Sequence, residues 1–228
     1  MDYSEPCQYS VRLIEKLKSL DTKNILDFDL INKAICWAKK YHGDQKRKSG
    51  EPYYSHPLEV AYMVSEHKLK TDVIVASILH DIIEDTEVTA GMIIDNFSWR
   101  IAQMVDMLTR DRPDGTKLTI EEVITNAYKK DDKEVLLIKL IDRLHNIKTI
   151  SSILINKQEK IVIQTINEFL ILCQYLELPK VLCDLFNASS INLTSVGFSL
   201  QKERNFFSNS FQQIPLIFEN EKYLNCTQ

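Results

Sequence analysis

Ionisable side chains interrupt an otherwise apolar stretch near residue 80. The segment ILHDIIEDT follows the apolar run at 73–77 and carries His80, Asp81, Glu84 and Asp85. A buried carboxylate without a partner is costly or is forced to take up a proton. A divalent cation would compensate, because neutral imidazole and carboxylate oxygen are ligands that it stabilises. The pattern therefore points to a metal site, although a lone His-Asp pair also arises by chance.

Helical spacing would order these four side chains in two layers. Residues four apart in a helix lie on the same face, one turn above each other. Glu84 is then one turn beyond His80, and Asp85 is one turn beyond Asp81. We therefore expect His80 and Asp81 in one layer and the two acidic residues in the next.

Further ligand candidates stand in two other segments. Asp142 interrupts the apolar run of EVLLIKLIDRLHN, where a paired or ligating carboxylate is favoured, and Asn146 follows one turn later. A surface pair between Asp142 and Arg143 is the weaker interpretation, because adjacent helical residues do not face each other. His56 precedes Pro57 at a predicted helix start, where it could bind a metal or only cap the helix.

Nitrogen and oxygen donors are combined in the resulting ligand set, which comprises His56, His80, Asp81 and Asp142. This mixture suits Mn, Fe, Co or Zn better than Ca, and it leaves positions for water and substrate. Among the other histidines, His145 could lie behind the ligands or in the core. We expect His42 to be structural and His67 to be solvated.

The segments that must position these residues are predicted to be helices. Apolar residues recur at helical spacing in LDFDLINKAICWAKKYH and HPLEVAYMVSEHK. Further helices are predicted at roughly 71–85, 98–109, 118–130, 133–149, 157–176 and 179–187. With no convincing strand alternation, the fold class is all-α. We predict a helical extension at 1–26, a helical domain at 27–190 and a weakly ordered tail, rich in Ser, Asn and Phe, at 191–228.

Composition excludes several classes of protein. The net charge of −4 over 228 residues gives nucleic-acid binding no overall electrostatic support. Five scattered cysteines without a CxxC pair favour reduced thiols and a cytoplasmic location. We find neither a signal peptide nor an apolar run long enough for a membrane span. One basic cluster, at 39–48, is either a solvated surface or an anion site.

Three segments resemble the signature motifs of the hydrolase domain in RelA/SpoT-type alarmone enzymes, which belong to the HD-domain phosphohydrolase superfamily. They are HGDQKRKSGEPYYSHPLEVA, ASILHDIIEDT and LIKLIDRLHNIKTI. The resemblance covers about 28–150 and continues more weakly through INEFLILCQYLELPKVLCDLF. No segment resembles a synthetase domain, so we expect hydrolase activity without synthesis.

The resemblance implies an HD-domain helical bundle with one Mn²⁺ ion, bound by His56, His80, Asp81 and Asp142. It also implies removal of the 3′-pyrophosphate of (p)ppGpp, giving GDP or GTP, and hence a role in the stringent response. By motif, Glu84 and Asp85 match the catalytic acidic pair. The residues that match nucleotide contacts are Arg47, Lys48, Ser49 and Asn146.

Alternatives to this substrate stay open at the level of sequence. The segment RDRPDGTKLTIEEVITNAYKK matches the long family members poorly, and HGDQ departs from their usual His-x-Gly-Gln spacing. The chain could therefore act on another nucleotide phosphate ester, such as NADPH. A catalytically silent alarmone-binding module is disfavoured by the intact ligand set and acidic pair. The oligomeric state cannot be predicted.

Overall fold

A computed structural model describes residues 3–112 and 115–195 of the chain. Within these residues the only β pairing consists of two isolated antiparallel bridges, Lys46 with Pro52 and Asp111 with Lys117. The all-α prediction is confirmed for this part of the chain. The α-helices are α1 (Gln8–Leu20), α2 (Phe28–His42), α3 (Ser55–Val64), α4 (Thr71–Leu79), α5 (Ile82–Asp85), α6 (Ala90–Asn96), α7 (Trp99–Leu108), α8 (Ile120–Lys129), α9 (Lys133–Lys148), α10 (Ile155–Gln164), α11 (Leu170–Tyr175) and α12 (Pro179–Ser195).

Helix α2 forms for the reasons that its sequence predicts. The Asp27 side chain accepts a hydrogen bond from the Leu30 N–H at 2.9 Å and so caps the first turn. Gly43 ends the helix with φ of 48°, a conformation that side chains with a Cβ rarely adopt. The predicted apolar face is buried, through Ile31, Ala34, Ile35 and Ala38.

Helix α4 is the central element of the first part of the chain. Every residue from 73 to 79 is buried, and the helix packs against α2, α3 and α7. A helix that is apolar on all sides must be surrounded by protein to be stable. Its C-terminal end, where His80 follows, is therefore held firmly inside the core.

The single helix predicted at 71–85 is wrong, because the chain forms two helices with a break at His80 and Asp81. The His80 Nδ1 lies 2.8 Å from the Ser77 carbonyl oxygen. This oxygen would accept the Asp81 N–H if the helix continued. The break is nevertheless short, since the Asp85 N–H donates to the Asp81 carbonyl at 3.0 Å.

Two compact units divide the chain, Met1–Asp142 and Arg143–Gln228, and the boundary falls inside α9. In the second unit, the predicted helix at 157–176 is interrupted by a π-helical turn, Thr165–Phe169, which links α10 to α11. The Arg143 guanidinium lies 4.6 Å from the centre of the Phe169 ring.

No described helix has the length and apolar content required to cross a bilayer.

The last described helix extends further than its sequence indicates. We predicted a helix at 179–187 and a weakly ordered tail from 191, whereas α12 ends only at Ser195. The remainder of the predicted tail, 196–228, lies outside the described residues.

Helix α1 packs on α3 in the first unit. Arg12 pairs with Glu59 at 2.7 Å, and Lys16 pairs with Glu66 at 2.6 Å. Both cations also lie over the Tyr62 ring, 4.0 and 3.6 Å from its centre. These contacts supplement the apolar contact made by the buried side chains Leu13 and Leu17.

An ion-pair cluster links the start of α7 to the start of α9. Arg100 binds Asp132 in bidentate fashion, at 2.6 and 2.9 Å, and reaches Glu134 at 2.9 Å. Burial alone would raise the pKa of both carboxyl groups, but the Arg100 guanidinium holds the pKa of each below its ordinary value. A lowered pKa in the folded state stabilises the protein above the unfolded pKa, and this stabilisation is lost as the pH falls through the folded pKa.

Arg100→Met should therefore destabilise the protein by about 1–3 kcal/mol at pH 7, an amount limited by the 29% exposure of the Arg100 side chain. The deficit should shrink as the pH falls below about 4, where unfolded Asp and Glu begin to be protonated. Urea unfolding at several pH values measures both effects. Lys148→Met, which breaks the exposed pair with Asp184, serves as the control and should cost less than about 1 kcal/mol. A deficit for Arg100→Met that is equal at pH 7 and at pH 3 would contradict the prediction.

Candidate metal centre and acidic pair

Side chains from three separate helical segments converge in the first unit. His56 lies in the first turn of α3, His80 follows α4, and Asp142 lies on α9. His56 Nε2 is 3.2 Å from Asp142 Oδ1, and His80 Nε2 is 3.8 Å from the same oxygen. One ligand atom from each residue lies within 4.8 Å of the others, and all three residues are buried. A single cation could contact all three.

Asp81 lies at the more open edge of this cluster. Its Oδ1 is 3.1 Å from His80 Nε2, and its Oδ2 is 3.5 Å from His56 Nε2. The side chain is 20% exposed, whereas that of His80 is 1% exposed. The structure thus brings His56, His80 and Asp142 together, and Asp81 lies beside them without belonging to the set whose ligand atoms are all within 4.8 Å of one another.

The orientation of His80 is what a metal ligand requires. Its Nδ1 donates to the Ser77 carbonyl, so that in the neutral imidazole the lone pair is on Nε2. That Nε2 is fully buried and makes no hydrogen bond of acceptable geometry, despite its nearby carboxylates. A buried polar atom without a hydrogen bond is rare, and an ion bound at this nitrogen would account for it.

The charges at the centre also favour a cation. Burial would lower the pKa of His80, but the Asp81 and Asp142 carboxylates raise it to about 10. For both carboxyl groups, burial is outweighed by neighbouring positive charge, so that the pKa of each is lowered. The cluster therefore needs a positive charge, which a divalent metal between neutral imidazoles can supply.

Lys139 is a member of the site that the sequence analysis missed. Its ammonium lies 3.2 Å from Asp142 Oδ2, while Oδ1 of the same carboxylate faces the two imidazoles. Lys139 is buried, three residues before Asp142 on α9. The only signal in the sequence was a lysine within an apolar run, at helical spacing from the aspartate.

The acidic pair lies next to the centre and is held by groups from two loops. Asp85 Oδ2 accepts a 2.6 Å hydrogen bond from the Tyr53 hydroxyl. Glu84 Oε2 accepts a 3.0 Å hydrogen bond from the main-chain N–H of Arg110. Desolvation raises the pKa of Glu84, and it raises the pKa of Asp85 against the effect of the Tyr53 hydrogen bond. These carboxyl groups are therefore better proton acceptors than free ones.

Residues 46–52, which we call the basic turn, form a tight hairpin. The Arg47 N–H donates to the Glu51 carbonyl, and the Gly50 N–H donates to the Arg47 carbonyl, both at 2.9 Å. Gly50 has φ of 91°, which favours glycine. Arg47 is half-buried, whereas Lys48 and Ser49 are exposed at the tip. The roles of these three residues in substrate binding stay predictions.

The remaining candidates differ in position. Asn146 and His145 are half-buried residues of α9 in the second unit, and their roles stay predictions. His42, predicted to be structural, is buried and stacks on Tyr53 with the ring centres 4.7 Å apart. Tyr53 in turn donates a hydrogen bond to Asp85 of the acidic pair.

Comparison with known proteins places this arrangement in a family. The model of the HD domain family matches residues 34–172, more than half of the chain. A GTP pyrophosphokinase of Myxococcus xanthus is 34% identical over 88% of this chain and 27% of its own length. A guanosine-3′,5′-bis(diphosphate) 3′-pyrophosphohydrolase of Aquifex aeolicus is 36% identical over 68% of this chain and 23% of its own length.

One solved structure, of a metazoan ortholog of SpoT that hydrolyzes ppGpp, has a TM-score of 0.49 and 18% identity, with 86% of this chain and 99% of that chain covered. The chain spans only about a quarter of the length of the two curated relatives. The resemblance predicted from the three sequence motifs is confirmed, and the chain belongs to the HD-domain family.

Proposed function

We propose that the chain is a metal-dependent hydrolase that removes the 3′-pyrophosphate of (p)ppGpp and releases GDP or GTP. The observation that carries the proposal is the convergence of His56, His80 and Asp142 beside the half-buried Glu84. The name of the relative from Aquifex aeolicus, a guanosine-3′,5′-bis(diphosphate) 3′-pyrophosphohydrolase, supports the choice of reaction.

The proposed cofactor is one Mn²⁺ ion, with His56, His80, Asp81 and Asp142 as its ligands. The orphaned His80 Nε2 and the buried Asp142 carboxylate, with the Asp81 carboxylate beside them, support a divalent cation. Their mixture of nitrogen and oxygen donors supports Mn²⁺ over Ca²⁺. When bound, such a cation supplies Lewis-acid charge that acidifies water and stabilises a phosphoryl group.

The acidic pair would manage water and protons next to the scissile bond. The pKa of Glu84 is raised by desolvation, which suits a carboxylate that takes a proton from attacking water. Asp85 is fixed by the Tyr53 hydroxyl, so that its second oxygen can orient the water. The buried Lys139 would hold Asp142 in place through Oδ2.

The basic turn and Asn146 are the proposed nucleotide contacts. A planar guanidinium at Arg47 can stack on a purine, whereas the ammonium of Lys48 is a compact charge suited to phosphate. Ser49, at the exposed tip, offers a hydroxyl for a further hydrogen bond. Action in the cytoplasm remains a prediction from the cysteine pattern.

Arg47→Ala and Lys48→Ala should have different effects if this division of roles holds. Arg47→Ala should raise KM for guanine nucleotides and reduce the preference for guanine over adenine. Lys48→Ala should raise KM for substrates with a 3′-diphosphate, whatever their base. Steady-state kinetics with bound metal measured in parallel provide the test, and the exposed Lys129→Ala is the control. If both variants keep the wild-type kcat/KM, the turn is only a solvated surface.

A second substrate, another nucleotide phosphate ester such as NADPH, is favoured by one observation. The segment that departs most from the family pattern begins at Arg110, whose main-chain N–H contacts Glu84. Purified protein with Mn²⁺ should therefore be incubated separately with ppGpp, pppGpp, NADPH and dGTP, and released phosphate and pyrophosphate measured. We expect pyrophosphate from the two alarmones. Turnover of NADPH alone would favour the second substrate, and no turnover would favour a silent binding module.

A further inference from the structure

The Tyr53 hydroxyl lies near a carboxylate of the acidic pair and a carboxylate of the candidate metal centre. Its hydroxyl lies 2.6 Å from Asp85 Oδ2 and 3.4 Å from Asp81 Oδ2. A phenol is protonated at neutral pH, so it donates its proton to the nearer carboxylate oxygen. The shorter contact therefore fixes Asp85, while the longer one places the Tyr53 hydroxyl close to Asp81.

The Tyr53 ring is itself held in a fixed orientation. The buried His42 ring stacks on it with an interplanar angle of 27°, and the His56 ring meets it edge-on at 6.5 Å. His42 is fixed in turn, because its Nδ1 donates to Gln45 Oε1 at 3.0 Å. Because the ring is packed in this way, the position of the Tyr53 hydroxyl is fixed, and the hydrogen bond restrains the Asp85 carboxylate.

Asp85 accepts a second hydrogen bond from the segment that contains Tyr53. The Gln45 side-chain Nε2 donates to the Asp85 main-chain carbonyl at 3.0 Å. Gln45 and Tyr53 lie at the two ends of the basic turn, and the Tyr53 N–H donates to the Gln45 carbonyl at 2.9 Å. The base of the turn is therefore attached to both the main chain and the side chain of Asp85.

We propose that Tyr53 is a positioning residue that sets the Asp85 carboxylate and, together with Gln45, couples it to the basic turn. A substrate bound by the basic turn would then have a fixed position relative to the Asp85 carboxylate. The proposal rests on the proposed function for its catalytic consequence, but its geometric part does not depend on the substrate.

Tyr53→Phe removes only the hydroxyl and keeps the stacked ring. We expect kcat for ppGpp to fall about 10–100-fold, the usual effect of losing a residue that orients a functional group, with KM and Mn²⁺ affinity changed by less than about threefold. In an Asp85→Asn background the same substitution should lower kcat by less than about threefold, because residues that act as a unit are not additive. A merely structural role would give equal losses in both backgrounds.

Tyr54→Phe is the matched control, because Tyr54 is the next residue and its hydroxyl faces Cys7 instead. It should leave kcat within about twofold of wild type. A wild-type kcat for Tyr53→Phe, or a loss of the same size with and without Asp85, would overturn the proposal. A crystal structure of Tyr53→Phe supplies a readout that needs no substrate: the Asp85 carboxylate should leave its present position, and an unchanged carboxylate would contradict the proposal. Failure of wild type on ppGpp, by contrast, would count against the proposed function.

Discussion

Asp142→Asn is expected to remove the bound metal and to lower ppGpp hydrolysis by about 10³-fold or more. Asp142 Oδ1 lies 3.2 Å from His56 Nε2 and 3.8 Å from His80 Nε2, so the substitution would exchange a proposed anionic ligand for a neutral amide. Lewis-acid stabilisation of a phosphoryl group is worth several kcal/mol, and each factor of ten in rate corresponds to about 1.4 kcal/mol. Elemental analysis of the purified variant and a pyrophosphate-release assay measure the two effects.

Two controls separate loss of the ligand from loss of the fold. Asp184→Asn changes an aspartate paired with Lys148 on the surface, and it should keep both metal and activity. Because Asp142→Asn also leaves the Lys139 ammonium without its carboxylate, thermal unfolding is followed in parallel. A folded Asp142→Asn protein with full metal occupancy would show that Asp142 is not a ligand.

Glu84→Gln and Asp85→Asn should each slow turnover by about 10²–10⁴-fold, the usual contribution of general acid–base catalysis, and should retain the metal. Neither residue is among the four proposed ligands, His56, His80, Asp81 and Asp142. Both carboxyl groups are raised in pKa by desolvation, which makes them effective proton acceptors. Rapid-quench measurements with saturating ppGpp give the chemical step directly.

Glu87→Gln is the matched control for this pair, since Glu87 is exposed, two residues beyond Asp85. It should turn over ppGpp at the wild-type rate. Wild-type rates for Glu84→Gln and Asp85→Asn would instead assign the pair a structural role. A loss of metal with either substitution would place that residue among the ligands.

The ligand candidates could be found from the sequence because they are ionisable residues inside apolar segments. His80, Asp81 and Asp142 stand in apolar runs, where an ionisable group needs compensation. Helical spacing then assigned Glu84 and Asp85 to a neighbouring layer. In the structure the Asp85 N–H donates to the Asp81 carbonyl, so Asp85 follows Asp81 by one turn although the predicted single helix is interrupted at His80 and Asp81.

Other features depend on contacts between distant segments, which a single sequence does not encode locally. The break after α4 follows from the contact between His80 and the Ser77 carbonyl, and neither residue type is a helix breaker. The Arg110 N–H that donates to Glu84 is a main-chain group, so no sequence motif can indicate this contact. The hydrogen bond from Tyr53 to Asp85 has no local sequence signal, since it requires the fold of 43–54.

The most direct test of the proposed reaction is product analysis with purified protein, Mn²⁺ and ppGpp, followed by ³¹P NMR. We expect GDP and pyrophosphate in equal amounts, with the reaction stopped by a chelator and restored by Mn²⁺. Release of single phosphate groups, cleavage at the 5′ position, or an unchanged rate in the presence of the chelator would contradict it.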